Sequence, residues 1–186
     1  MLILKLLVFA LPVTFAAILH MVVVRFNLFA WLNHPLDLGK TFHGKRIFGN
    51  SKTFRGVVMM VVLSMAGTAV LFWITVWFPG VEKYHILDFQ RYSTAFYGLL
   101  YGLGYTLAEL PNSFAKRQRG IAEGKRGSWL NILIDQADSP IGCLLFLWPF
   151  SSMDCTFFLA GALFFLLLHL FFNVTLYLAG LRKQPL

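Results

Sequence analysis

WLNILIDQADSPIGCLLFLWPF, residues 129–150, is long enough to cross a bilayer, yet it carries Asp135 and Asp138 inside its apolar run. A hydrocarbon core of roughly 30 Å takes about 20 residues of helix. An aspartate at its centre costs about 2.5–3.5 kcal/mol on insertion scales. A spacing of three places both carboxylates on one helical face, where their like charges add to the cost. A hard cation held between them relieves both penalties at once. Carboxylate oxygens suit Mg²⁺, or Mn²⁺, which is commonly bound through one or two carboxylates plus substrate phosphates. Pro140 lacks an N–H and crowds the carbonyl of Gln136, so the helix is expected to break there and expose backbone oxygens. The competing account is an ion pair to Lys116, Arg117 or Arg119 that docks the preceding loop, and it explains one aspartate more readily than two.

Working outward, the 186-residue chain is 58% hydrophobic, 17% aromatic and only 13% charged, with a mean hydropathy of +0.70. This lies outside the range of soluble globular domains. Four further stretches are long enough to span: residues 2–24, 56–78, 92–110 and 156–179. The first runs to Val24 and stops at Arg25 without an A-x-A site, so it is expected to be a retained helix rather than a signal peptide. The fold expected is an all-α integral membrane protein, one polytopic domain over residues 1–186 with five transmembrane helices.

Orientation follows from the basic residues, which resist translocation. Arg25, Lys40, Lys45, Arg46, Lys52 and Arg55, then Lys116, Arg117, Arg119, Lys125 and Arg126, then Arg182 and Lys183 fall on one side; Lys5, Lys83 and Arg91 fall on the other. The N-terminus is therefore expected outside and the C-terminus in the cytoplasm, with two long basic cytoplasmic loops. The formal charge of +8 is polarised. Anionic headgroups account for part of that bias.

The first basic loop, NHPLDLGKTFHGKRIFGNSKTFRG at residues 33–56, mixes glycines with Lys, Arg and hydroxyl groups and suits a polyanionic ligand at a membrane surface. It is not a P-loop. Gly39, Lys40 and Thr41 read G-K-T, but His34 stands where the upstream glycine is required, and no βαβ context follows. His20 and His169, alone in apolar helices, are expected to hydrogen-bond neighbouring helices. Gly98 and Gly102, beside Tyr97 and Tyr101, form a G-x-x-x-G step for close packing. Glu109 suits either an interfacial cap or a partner of the basic loop. Cys143 and Cys155 imply neither a disulfide framework nor a metal site.

Two other chemistries draw on the same residues. A membrane carboxylate can relay protons or bind an ion in a small transporter, but five crossings without internal symmetry disfavour it. D-x-x-D also opens the motif of CDP-alcohol phosphatidyltransferases, where Gly and then Ala-Arg follow; here Ser139 and Pro140 follow, and the next acid is Asp154.

Taken together, PLDLGKTFHGKRIFGNSKTFRG (35–56), PNSFAKRQRGI (111–121) and DQADSPIG (135–142) resemble the CDP-archaeol synthase family, relatives of the CDP-diacylglycerol synthases. The resemblance implies a transferase in phospholipid biosynthesis: a CTP-dependent cytidylyltransferase in which a lipid phosphate attacks the α-phosphorus of CTP and pyrophosphate leaves. It implies that Asp135 and Asp138 ligate the metal and, with Lys116 and Arg117, are catalytic. Asn112 and Ser113 join Lys116 and Arg117 as nucleotide-phosphate contacts, and Lys45, Arg46, Lys52, Thr53 and Arg55 bind substrate from the first loop. The CDP-diacylglycerol synthase signature has Lys-Asp and His-Gly-Gly before its aspartates; here the interval reads GIAEGKRGSWLNIL. The acceptor therefore stays open between an archaeal ether lipid and a phosphatidate-like one. The partners expected are CTP, that lipid phosphate and the bilayer, without nucleic acid, and the location expected is the plasma membrane with the site facing the cytoplasm.

Overall fold

The computed structural model describes residues 1–125 and 127–178, an all-helical bundle apart from one small hairpin. Its long helices are α1 (Leu2–Arg25), α2 (Phe54–Trp77), α3 (Thr94–Gln118), α4 (Trp129–Leu147) and α5 (Cys155–Leu178). Among the described residues, four helices are long and apolar enough to cross a membrane: Leu2–Arg25, Phe54–Trp77, Trp129–Phe150 and Cys155–Thr175. The third expected crossing is the one that does not qualify by composition. α3 carries Glu109, Asn112, Lys116 and Arg117 in its second half, although its 25 residues reach about 37 Å at 1.5 Å per residue.

Two boundaries depart from expectation. The third helix was expected to stop at residue 110, but α3 continues through Pro111 to Gln118, so the second basic loop is short and begins at Arg119. The turns beyond Pro111 are held from outside the helix, because Asn112 and Lys116 bond to carboxylates of α4. α4 likewise was expected to break at Pro140 and instead runs on to Leu147. The Gln136 carbonyl, which a proline at position 140 deprives of its helical donor, accepts a hydrogen bond from His169 Nδ1 at 3.0 Å. A ring from α5 thus replaces the missing amide.

α3 lies at the centre, packed on α2 and α4, and glycines set those distances. A methyl group on Gly98 would lie 2.3 Å from the Met65 Cα, and one on Gly102 2.4 Å from the Val61 Cα. Gly104 and Gly142 bring α3 and α4 equally close. The G-x-x-x-G step is a packing surface, as expected. Apolar side chains fill the bundle at the end away from the basic loops: Leu6 and Phe9 of α1, Leu71 of α2, Leu144 and Leu147 of α4 and Phe165 of α5 surround Tyr97 and Tyr101. Both phenols are satisfied, Tyr97 donating to the Phe150 carbonyl and Tyr101 to the Phe9 carbonyl, each at 2.7 Å. Outside, Leu159, Leu163 and Leu167 form an exposed stripe on α5, 69%, 61% and 55% accessible, as lipid-facing residues are.

The turns at 78–93 and 148–154 meet at one end through the Leu87–Ser151 bridge. The 26–53 loop and the 119–125 turn meet at the other, where Lys45 Nζ donates to the Gln118 carbonyl at 2.5 Å and Asn50 N to Glu123 Oε1 at 2.9 Å. Arg126, Arg182, Lys183 and the C-terminus expected in the cytoplasm lie outside the described residues.

Candidate active site

The first loop is organised around one carboxylate. Asp37 accepts from the N–H groups of Gly39, Phe48 and Gly49 at 3.1, 2.9 and 2.8 Å and from Arg46 Nε and Nη2 at 3.2 and 2.5 Å. Burial alone would raise the pKa of this acid, but the Arg46 guanidinium and the three backbone donors outweigh it and hold Asp37 well below the usual carboxylate range. Around it fold the hairpin β1 (Thr41–Phe42) and β2 (Lys45–Arg46), turned at His43 and Gly44, both with positive φ. The loop closes at its base through the Pro35–Thr53 bridge.

This scaffold separates the five first-loop residues named from the sequence. Lys52 reaches the wall of the polar cavity and pairs there with Glu109. The other four take structural partners: Lys45 the Gln118 carbonyl, Arg46 Asp37 and Asn50, Thr53 the Gly56 N–H at the start of α2, and Arg55 the Asn27 side chain and the Leu28 carbonyl.

The residues expected from α3 and α4 converge. Asn112, Ser113, Lys116, Arg117, Asp135 and Asp138 all line a cavity of about 530 Å³. One nitrogen, Asn112 Nδ2, donates to Asp135 Oδ1 at 2.6 Å and to Asp138 Oδ2 at 2.9 Å, so the two carboxylates aim at a common point. Lys116 Nζ bridges both oxygens of Asp135 at 2.8 and 2.7 Å. The competing ion pair thus forms at Asp135, while Asp138 has no salt bridge among the described residues. Arg117 donates from Nη1 to the Ile121 carbonyl at 2.6 Å, and its Nε is buried without a partner among the described residues.

Several wall residues were not named as site residues from the sequence. Glu109 joins the two halves, since Ser139 Oγ donates to its Oε1 at 2.7 Å while Lys52 holds Oε2. Lys125 enters from the turn, and Gln136, His169 and Asn173 close the far side. The spacing of four between His169 and Asn173 was the available signal for a polar face on α5; nothing marked Ser139. In all, three carboxylates and four basic side chains line the cavity, a donor and acceptor set suited to phosphates together with a hard divalent cation.

Membrane-length helices thus surround a cavity of paired carboxylates and basic side chains, a set that suits a phosphate-bearing ligand. A family model described as CarS-like, CDP-archaeol synthase, matches residues 1–186. Relatives named CDP-archaeol synthase include those of Methanospirillum hungatei, 32% identical over 163 residues with 81% of this chain and 89% of the relative covered, and Methanocaldococcus jannaschii, 28% identical over 159 residues with 80% and 81% covered. A solved structure described as an intramembrane enzyme for archaeal membrane lipids biosynthesis shares the fold at a TM-score of 0.64, with 22% identity over 90% of this chain and 91% of that one. The chain belongs to the CDP-archaeol synthase family. It is a CTP-dependent cytidylyltransferase of lipid phosphates, and the transporter alternative is left without support.

Proposed function

We propose that the enzyme transfers the cytidylyl group of CTP to an ether-linked archaeal glycerolipid phosphate, at a site facing the cytoplasm of the plasma membrane. The observation that carries this reading is the convergence of Asp135 and Asp138 on a single nitrogen beside Lys116 and Arg117. Those two aspartates are the residues that would hold Mg²⁺ or Mn²⁺, with phosphate oxygens and water completing the shell, since no third acid stands in ligand geometry with them among the described residues. The chemistry such an ion supplies when bound is neutralisation and alignment of phosphate charge.

The rest falls to the chain's own side chains. Lys116, Arg117, Lys52 and Lys125 line the cavity and suit the triphosphate, and the buried Arg117 Nε has no partner among the described residues. Asn112 and Ser113 orient it. An oxygen of the lipid phosphate, already ionised at neutral pH, attacks the α-phosphorus of CTP; one P–O bond forms, the bond to the β-phosphate bridge oxygen breaks, and pyrophosphate leaves on the basic side chains. No side-chain nucleophile is needed. α3 makes the fifth crossing in this account, its polar second half turned into the cavity and shielded by α2 and α4.

The test is pyrophosphate release by purified protein in detergent, given CTP, Mg²⁺ and a panel of lipid phosphates. The account expects turnover with the dialkyl ether phosphate to exceed that with phosphatidate. Release with phosphatidate alone would overturn the acceptor, and release with no lipid phosphate would overturn the activity.

A further inference from the structure

α1 ends at Arg25, and the seven residues that follow, FNLFAWL at 26–32, carry no charge. Phe26, Phe29 and Trp31 are 66%, 47% and 72% exposed, yet the segment is tied down at both ends. Arg55, itself buried in the first turn of α2, donates from Nη1 to the Asn27 side chain at 2.8 Å and to the Leu28 carbonyl at 3.3 Å. Just beyond the segment, Phe54 N donates to the His34 carbonyl at 3.0 Å and Leu36 N to the Lys52 carbonyl at 2.8 Å. Between these ties Phe29 takes φ 53°, a left-handed conformation that a bulky side chain seldom adopts. A single 3₁₀ turn, Ala30–Leu32, follows it. A short strap therefore holds three aromatic rings out of the core in a fixed backbone.

Its place in the bundle identifies what covers those rings. The strap begins where a membrane-length helix ends. Trp129, the exposed first residue of α4, stands at the same end of the bundle, while exposed Trp77 and Phe78 close α2 at the other. The 24 residues of α2 span about 36 Å, so the two aromatic girdles are separated by a hydrocarbon core of about 30 Å and a few Å of headgroup layer. Aromatic rings collect at that level, and exposed Arg25 and Lys40 beside the strap complement anionic headgroups. We propose that residues 26–32 form an interfacial strap, with Phe26, Phe29 and Trp31 seated in the lipid headgroup layer on the basic side of the bundle. The strap anchors the first loop to the membrane surface. Through the pairing of residues 34–36 with 52–54, that anchor continues to Lys52 on the cavity wall. The partner is the bilayer surface itself, and the inference stands independently of the reaction assigned to the cavity.

Nitroxide labelling of the full chain tests it. Phe26→Cys and Trp31→Cys are made separately in a Cys155→Ser background, with Cys143 kept because it is buried, and each labelled protein is reconstituted into vesicles of phosphatidylcholine and phosphatidylglycerol. Collision with oxygen, which partitions into the bilayer, is compared with collision with a water-soluble nickel chelate. The strap predicts that oxygen dominates at both positions, with the label about 5–10 Å into the boundary between headgroups and acyl chains. If one variant does not fold, the other carries the same expectation. Nickel access exceeding oxygen access would place the rings in water and overturn the strap. Protection from both reagents, with spin–spin broadening that grows with the protein-to-lipid ratio, would assign the rings to a second copy of the chain and overturn it equally.

Discussion

At the scale of single residues, charge takes two roles that sequence alone does not separate. Arg46 and Arg117 both sit in basic motifs, yet Arg46 is consumed by Asp37 and Asn50, whereas Arg117, a cavity-lining residue, keeps a buried Nε without a partner among the described residues. The Asp37 cluster therefore makes a structural prediction. A carboxylate whose folded pKa lies below its unfolded value of about 3.9 stabilises fully above that value, and the contribution fades as pH falls toward the folded one. Protection of the Phe48 and Gly49 amides, corrected for intrinsic exchange, should stay level from neutral pH to about pH 4 and drop below it. Asp37→Asn should reproduce the drop at pH 7, by about ten- to a hundredfold for hydrogen bonds to a charged group. Equal protection in variant and wild type at pH 7 would remove Asp37 from this role. What was legible here was the D-x-x-D pair and a basic partner for one of its acids, because buried charge in an apolar run demands an explanation; Asn112 came only with the family resemblance. The duties of Lys45, Thr53 and Arg55 were not, because they depend on carbonyls and side chains distant in sequence.

At the scale of helices, hydropathy located the apolar spans to within a few residues, and the small-residue step in α3 announced its packing. The helix ends misled. The third helix was expected to stop at residue 110 and Pro140 to break the fourth, and both helices continue because partners on neighbouring helices satisfy or brace the interrupted turns. The consequence for α3 is functional, since a helix rather than a loop carries Asn112, Ser113, Lys116 and Arg117 and fixes their spacing. Close packing makes its own prediction. Gly102→Ala sets a methyl 2.4 Å from the Val61 Cα, which backbone movement must relieve, whereas Gly80→Ala enters open space. Overpacking of this kind costs about 1–3 kcal/mol, so Gly102→Ala should lower the Tm in detergent by several degrees, with Gly80→Ala near wild type. Equal Tm values would mean that the α2–α3 contact is looser than described.

At the scale of the whole molecule, the fold places every polar group of the cavity at the end where the basic loops meet, and the apolar core at the other. If that end faces the cytoplasm, reporter fusions after residues 50 and 124 should report inside, and fusions after residues 82 and 152 outside. The reverse pattern would place the cavity away from its nucleotide. The account as a whole rests on Asp135 and Asp138 holding a cation for CTP, and one comparison tests it most directly: pyrophosphate release across a Mg²⁺ series, together with the thermal midpoint, for wild type, Asp135→Asn and Asp138→Asn. Each variant keeps the shape and an oxygen but loses the charge that binds the ion. Turnover should fall by about a hundredfold or more in both variants, with Asp138→Asn as stable as wild type, since a buried charge has also been removed, and Asp135→Asn somewhat less stable, since Lys116 loses its partner. Full metal-dependent turnover in either variant, or lost folding with unchanged turnover in the surviving fraction, would contradict a shared metal site.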